Sequence, residues 1–285
     1  MKEITVISGK GGTGKTSITA SFAVLAQNHV MADCDVDAAN LHILLSPEIK
    51  AKHNFWGMPK VEIDAEKCSG CGICEDLCRY GAIKDGAVNS MECEGCRVCY
   101  HACPEKAIRL VESLAGEYYI SKTRFGPFVH ARLGVAQENS GKLVAEVRRQ
   151  ARELAQKEGR DLIITDGPPG IGCPVISSLG GTDLAVVVVE PTISSIHDLD
   201  RVLKLTEHFN VKTAVCINKW DLNLRNSSTI EEACLNMNIP VIGRIGYDIT
   251  FMAAVMERKP VIQMTSSVVD NIVSLWHNAE GILNS

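Results

Sequence analysis

The sequence predicts an α/β protein, a doubly wound, mostly parallel sheet with a small α+β domain inserted in it. Three observations lead there. Strand-like apolar segments alternate with helical ones at both ends of the chain. A glycine-rich turn joins the first strand to the first helix. Eight of the twelve cysteines crowd into residues 68–108, in two copies of one pattern. Unbroken apolar strands are those whose two faces are both covered, as in parallel sheets flanked by helices. A chain of 285 residues, 46% hydrophobic, is long enough for one large domain and a small one.

Residues 1–46 read strand, turn, helix, strand and short helix. EITVIS has the pattern of a buried strand, KTSITASFAVLAQ has helical spacing, and HVMADCD returns to strand. From residue 160 the alternation resumes. DLIITD, DLAVVVVE, KTAVCINK and IPVIGRIG are strands, with SSIHDLDRVLKLTEHF and TIEEACLNMN as helices between them. The large domain is therefore assigned to 1–46 and 135–285, and the insert to 60–112. Segments 47–59 and 113–134 are assigned as connections. Within the second, EYYISKTRFGPFVHARL alternates like paired strands around Gly126 and Pro127 and suits either domain. ENSGKLVAEVRRQARELAQ is a helix capped by Asn139 or Ser140. The C-terminal SSVVDNIVSLWHNAEGIL is amphipathic without Lys or Arg on its polar side, which favours a core helix over a basic membrane-binding one.

Composition narrows the function classes. A net charge of −5 gives no general attraction to nucleic acid or to an anionic membrane. The longest apolar run, LAVVVV, is too short to span a bilayer, and the N-terminus lacks a secretory pattern. Cysteines so arranged point to metal rather than disulfides, hence to a reducing, cytoplasmic setting.

GKGGTGKT fits G-x-x-x-x-G-K-[ST] between a strand and a helix, the context that makes the motif meaningful. Gly9, Gly11, Gly12 and Gly14, with Lys10 and Thr13 between them, form a loop whose backbone N–H groups face phosphate oxygens, continued by Ser17 in the helix. Lys15 reaches the β- and γ-phosphates, and the Thr16 hydroxyl goes to Mg²⁺.

The variant K-G-G-x-G-K-[ST] resembles the deviant P-loop of the MinD/ParA and nitrogenase-iron-protein superfamily, P-loop NTPases of the SIMIBI type. In that family the first lysine crosses a nucleotide-sandwich homodimer to the partner's phosphates, which implies that role for Lys10; a solvated surface lysine is the alternative. In-trans cations are worth ~10³–10⁵ in rate, so a lone subunit is expected to hydrolyse poorly. Two more segments carry the resemblance. DCDVDAANLH matches the first switch, with Asp35 positioning the attacking water or Mg²⁺ and Asp33 and Asp37 beside it. DLIITDGPPGIG matches Walker B and the second switch, with Asp166 holding a Mg²⁺-bound water. The implied catalytic set is Lys10, Lys15, Asp35 and Asp166, with Mg²⁺ at Thr16, Asp35 and Asp166. INKWD resembles the guanine-reading N-K-x-D of GTPases, which makes Asn218 and Asp221 base contacts. In this superfamily an Asn at that place meets adenine, so ATP is expected and GTP is the alternative. GYD at 246–248 falls where the family closes its base pocket.

CSGCGICEDLC and CEGCRVCYHACP are two copies of C-x-x-C-x-x-C-x-x-x-C, and the four cysteines, with Ala82 and Ile83, recur at an offset of 25 residues. They resemble a bacterial two-cluster ferredoxin, in which the fourth cysteine of each run serves the other cluster. That rule implies one 4Fe–4S cluster on Cys68, Cys71, Cys74 and Cys103, and a second on Cys93, Cys96, Cys99 and Cys78. Arg79 stands where ferredoxins carry Pro, and zinc is the rival metal. Cys173 has the spacing from Asp166 of a bridging-cluster ligand in the nitrogenase iron protein, but its companion cysteine is missing, which leaves packing as the alternative. Cys34, Cys216 and Cys234 read as core.

The expected function is an ATP-hydrolysing homodimer whose nucleotide state gates electron transfer through two 4Fe–4S clusters to a redox or iron–sulfur client protein. The alternatives are an Mrp-like cluster-assembly carrier, whose C-terminal C-x-x-C has no counterpart after residue 160, and a positioning ATPase with structural clusters.

Overall fold

A computed structural model describes residues 1–134 and 140–285. Asn139, one of the two residues expected to cap a helix, lies outside the described residues. The described residues divide into two compact units, residues 1–52, 118–132 and 140–285, and residues 53–117 with 133–134.

The chain opens with β1 (Lys2–Ser8), α1 (Lys15–Leu25), β2 (His29–Asp33) and α2 (Leu41–Leu45). Then come β3 (Glu48–Trp56), β4 (Lys60–Ile63), α3 (Ile73–Asp76), β5 (Ile83–Lys84), β6 (Ala87–Val88), α4 (Val98–Ala102) and β7 (Ile108–Val111). Two further strands follow, β8 (Leu114–Thr123) and β9 (Gly126–Leu133). The rest alternates as α5 (Ser140–Glu158), β10 (Leu162–Pro169), α6 (Cys173–Leu179), β11 (Leu184–Val189), α7 (Ile193–His208) and β12 (Lys212–Asn218). It closes with α8 (Leu224–Asn236), β13 (Val241–Ile245), α9 (Thr250–Met256) and α10 (Val268–Asn284). No helix among the described residues is long and apolar enough to cross a membrane.

The principal sheet has the order β13-β12-β11-β1-β10-β2-β9-β8-β3. From β13 to β9 every neighbouring pair is parallel. From β1 the chain moves outward in both directions, to β2 on one side and β11 on the other. That is a topological switch point, where open α/β sheets bind ligands at the carboxyl ends of the strands. The doubly wound expectation holds.

Alternation along the strands decides which helices each face receives. Leu184, Val186 and Val188 of β11 join Phe22 of α1 and Trp276 of α10 in one core. Ala185, Val187 and Val189 join Val202 of α7 and Ile230 of α8 in the other. Phe22 and Trp276 pack with ring centroids 5.0 Å apart. Cys34, Cys216 and Cys234 are buried, as expected, while Cys173 is exposed.

Segments 47–59 and 113–134, expected as connections, hold β3, β8 and β9, and these strands extend the sheet beyond β2. The outermost strand β3 is charged and largely exposed along its length, so it lacks the apolar pattern that marks a strand. The turn between β8 and β9 falls at Arg124 and Phe125 rather than at Gly126 and Pro127.

In the second unit β4 pairs antiparallel with β7, and β5 with β6. Its core is small: Val61, Ile83, Cys99 and Ile108, packed against Cys74, Cys78, Cys93 and Cys103. The sequence repeat is also a backbone repeat. Gly70, Gly72 and Gly81 have positive φ, and so do their counterparts 25 residues on, Gly95, Arg97 and Lys106.

Two buried imidazoles of the first unit set an acid limit on its stability. Burial, aided by the Arg160 charge, pushes His29 down to about 4. Burial, aided by His42, does the same to His130. Their folded-state values lie below the unfolded one, so the unfolded chain binds more protons as the pH falls. The stabilisation is complete above the ordinary histidine range and is lost as pH falls through the folded value. Going from pH 7 to pH 5 should cost about 2 kcal/mol per imidazole, and His130→Phe should reduce that loss in urea titrations at the two pH values.

Candidate functional site

The loop after β1 and the first turn of α1 line a cavity of about 490 Å³ together with Asp35, Asn40 and Pro169. Its floor is a buried charge cluster. Asp166, at the end of β10, accepts from three side chains of α1. Lys15 Nζ lies 2.9 Å from Oδ1, Thr16 Oγ1 2.8 Å from Oδ2, and Thr19 Oγ1 3.0 Å from Oδ1. Lys15 also lies 3.3 Å from Asp35 Oδ2. Burial opposes the charge on Lys15, but the Asp166 and Asp35 carboxylates outweigh it and hold the ammonium above its ordinary value. Asp33 is buried and accepts from the backbone N–H groups of Asp35 and Leu41, which fixes the loop between β2 and α2. Burial, and next the Asp166 charge, push the Asp33 carboxyl well up, and burial raises that of Asp35.

The structure thus brings Lys15, Thr16, Asp35 and Asp166 together, as the sequence suggested. Thr19 was missed. Its signal was a second hydroxyl three residues after Thr16, on the same face of α1.

These oxygens fit a hard divalent cation. Mg²⁺ is held through one or two carboxylates, a hydroxyl, waters and substrate phosphates rather than by a closed protein cage. Among the described residues no three Cys, His, Asp or Glu side chains form a group fit for a single metal ion.

Lys10 has partners in its own chain. Its Nζ lies 2.6 Å from Glu190 Oε1 and donates to Thr192 Oγ1 at 3.0 Å and Ser194 Oγ at 3.3 Å. This corrects the alternative of a lysine with water alone to meet. Burial works against ionisation of Glu190, but hydrogen bonds from Lys10 and Lys219 prevail and lower its carboxyl. Glu190 ends the quoted run DLAVVVVE, and nothing local marks it as a partner of Lys10.

Of the two residues expected to contact the base, Asn218 lines the adjoining cavity and Asp221 does not, and both bond to protein backbone. Asn218 is buried and donates through Nδ2 to Thr13 O at 2.7 Å, while its Oδ1 accepts from Lys219 N. Asp221 Oδ1 accepts from Tyr247 N at 2.7 Å. Both side chains hold protein backbone, so INKWD clips the phosphate loop and the start of the 246–248 segment. Lys219 adds a bond to Gly12 O at 3.0 Å. Asn218 and Lys219 also line a cavity of about 430 Å³, whose apolar wall is Phe251, Met252, Val255 and Met256 with Tyr247. Tyr247 lines it, as GYD suggested. The methionines, four apart on α9, were not singled out.

In the second unit, Cys68, Cys71, Cys74 and Cys103 line one cavity of about 520 Å³ with Ile63, Ile73 and Ile108. Burial pushes the Cys99 thiol up, and Cys93, Cys96 and Cys78 act on it in the same direction. Each expected set of four therefore shares a neighbourhood. Gly70 and Gly72, and Gly95 and Arg97, lie between the cysteines of each run with positive φ. A four-iron cube is larger than a single ion, and a cavity edged by thiols suits it.

A strand, glycine loop and helix at the switch point, with a lysine–aspartate floor, define a P-loop nucleotide-binding protein. The chain belongs to the CobQ/CobB/MinD/ParA nucleotide binding domain family (CbiA), whose model matches residues 4–261. An uncharacterized protein of Methanocaldococcus jannaschii is 33% identical over 279 residues, covering 96% of this chain and 95% of the relative. The septum site-determining protein MinD of Bacillus subtilis is 23% identical over 269 residues, 90% of this chain and 81% of its own. Among solved structures, the cell division ATPase MinD of Pyrococcus furiosus superposes with a TM-score of 0.60 at 18% identity, covering 99% of both chains. MinD complexed with Mg-ADP from Pyrococcus horikoshii gives 0.59 at 19% identity, covering 96% of this chain and 94% of that one. At such identities the likeness concerns the fold.

Gly14 is the loop position with least freedom. Its φ is +91°, and an added Cβ would stand 2.3 Å from Asn218 Nδ2. Gly14→Ala must break the bond to Thr13, so its ATP affinity by calorimetry should fall about tenfold or more, a change of ~1.4 kcal/mol.

Proposed function

We propose that this chain is a Mg²⁺-dependent ATPase that dimerises on binding ATP and whose nucleotide state gates electron transfer through two 4Fe–4S clusters to a redox or iron–sulfur client protein. The observation that carries the electron-transfer part is the shared cavity of Cys68, Cys71, Cys74 and Cys103, three thiols of the first run and the last of the second. That crossing is the two-cluster ferredoxin rule. The second cluster would take Cys93, Cys96, Cys99 and Cys78. Such clusters supply one-electron chemistry.

For the ATPase, membership in the nucleotide-binding family and the lysine–aspartate floor support the reading. Lys15 leaves Asp166 and Asp35 for the β- and γ-phosphates. Thr16, Asp35 and Asp166 are the residues that would hold Mg²⁺, which would supply positive charge beside the carboxylates. Asp35 orients the attacking water, and Lys10 serves the phosphates of a second copy. ATP is favoured over GTP, because Asp221, the acid that would read guanine, already accepts from Tyr247 N. The domain boundaries proposed from the repeat, 60–112 for the cluster domain, keep all eight cysteines together. Clusters and first switch are linked by a short run of chain, from Leu45 to Lys60.

A positioning role is the second reading, favoured by the MinD names of the relatives. The sequence of α10, without Lys or Arg, argues against a basic membrane-binding helix.

Anaerobically purified protein should contain close to eight irons and eight acid-labile sulfides per chain, following from two four-iron sites. Cys71→Ala should remove about half, and Cys173→Ala almost none. Two zinc ions without sulfide would overturn the cluster assignment.

Lys15→Ala should weaken ATP binding itself, whereas Lys10→Ala should keep binding and lose dimerisation and most hydrolysis. GTP should compete roughly tenfold or more less well than ATP, because Asp221 holds Tyr247 N through Oδ1 and does not line the cavity of Tyr247 and Phe251. Equal affinities would return Asp221 to the base.

A further inference from the structure

Glu190 stands at the carboxyl end of β11, where both of its oxygens are used. Oε1 takes Lys10 at 2.6 Å and Oε2 takes Lys219 at 2.8 Å. Lys219 in turn donates to Gly12 O, so one carboxylate holds the phosphate loop at two points, at Lys10 directly and at Gly12 through Lys219. Thr192 and Ser194, at the start of α7, complete the cradle around the Lys10 ammonium. Lys10 is not among the residues that line the phosphate cavity, although it lies within the phosphate-binding sequence.

We propose that Glu190 is a positioning residue, a latch that holds Lys10 on its own subunit until a second, nucleotide-loaded copy of this chain offers phosphate oxygens in exchange. The inference rests on the reading of Lys10 as an in-trans cation. The three N–H donors of the Lys10 ammonium are taken by Glu190, Thr192 and Ser194, so it must give up this cradle to reach a partner's phosphate, and carboxylate and phosphate compete for it. When the binding-competent state is only partly populated, apparent affinity falls by that fraction, and releasing the hold restores it. The latch therefore sets how much nucleotide-loaded protein is needed before the dimer forms.

The test uses the full chain, purified anaerobically. Glu190→Gln keeps the size of the side chain and removes its charge. Dimerisation with Mg²⁺ and a non-hydrolysable ATP analogue is followed by sedimentation velocity. Acetylation of Lys10 in the nucleotide-free monomer is followed by mass spectrometry against Lys2, an exposed reference on the other end of β1. The expected result is a dimer dissociation constant roughly tenfold lower than that of the parent. Lys10 acetylation should be roughly threefold or more faster, with Lys2 unchanged. Ser194→Ala, which removes one arm of the cradle, should move both readouts the same way by roughly twofold, and it serves if Glu190→Gln fails to fold.

Unchanged or weaker dimerisation overturns the latch, even if Lys10 reacts faster, because the hold is then not coupled to assembly. Lys10→Ala run in parallel separates the two failures. If it dimerises like the parent, the in-trans reading falls and takes the latch with it. If it fails to dimerise while Glu190→Gln does not tighten the dimer, the latch alone falls.

Discussion

The first unit is organised around one buried carboxylate. Asp166 closes β10 against the start of α1, and Lys15, Thr16 and Thr19 all donate to it. A buried charge is stable only when paired and fully hydrogen-bonded. The pairing here involves one ammonium and three acids, Asp166, Asp35 and Asp33. The excess of acid is relieved by raising Asp33 and Asp35, in both cases through burial first. The same excess makes the site receptive to a divalent cation, and on the proposed reading Lys15 is then free to move to phosphate.

Around that floor the loop is held from strand ends that lie far from it in sequence. Asn218 takes Thr13 O, Lys219 takes Gly12 O and Glu190 takes Lys10. The turn after β1 has few side chains of its own with which to define its shape. Polar groups at or just past the ends of β11 and β12 supply that definition, which explains why the INKWD residues face backbone. The apolar wall of α9 then provides a surface suited to a flat aromatic ring, with Met252 and Met256 adaptable to its shape.

The second unit has a different basis for order. A cluster of Val61, Ile83, Cys99 and Ile108, with four half-buried cysteines, Ile63, Val88 and Leu110 around it, is a small core for some sixty residues. On the proposed reading, bound clusters would add folding free energy to this unit. The duplicated left-handed positions show what the repeat preserves, namely a backbone that wraps the same way twice. Arg97, with positive φ where the first copy has Gly72, shows that this wrapping is kept even where the side chain resists it.

Features determined by neighbours along the chain were legible from the sequence alone. They include the glycine loop between β1 and α1, the unbroken apolar strands, the duplicated cysteine runs, and the lysine and aspartates of the phosphate site. Each depends on periodicity or spacing within a few residues. Tertiary structure decided the rest. It placed β3, β8 and β9 in the sheet, although β3 carries the charges of an edge. It gave Asn218 and Asp221 backbone partners and set Thr19 beneath Asp166. It also joined Lys10 to Glu190, 180 residues away. A hydrogen bond or ion pair across such a separation leaves no periodic trace, because its geometry exists only once the strands have taken their order in the sheet.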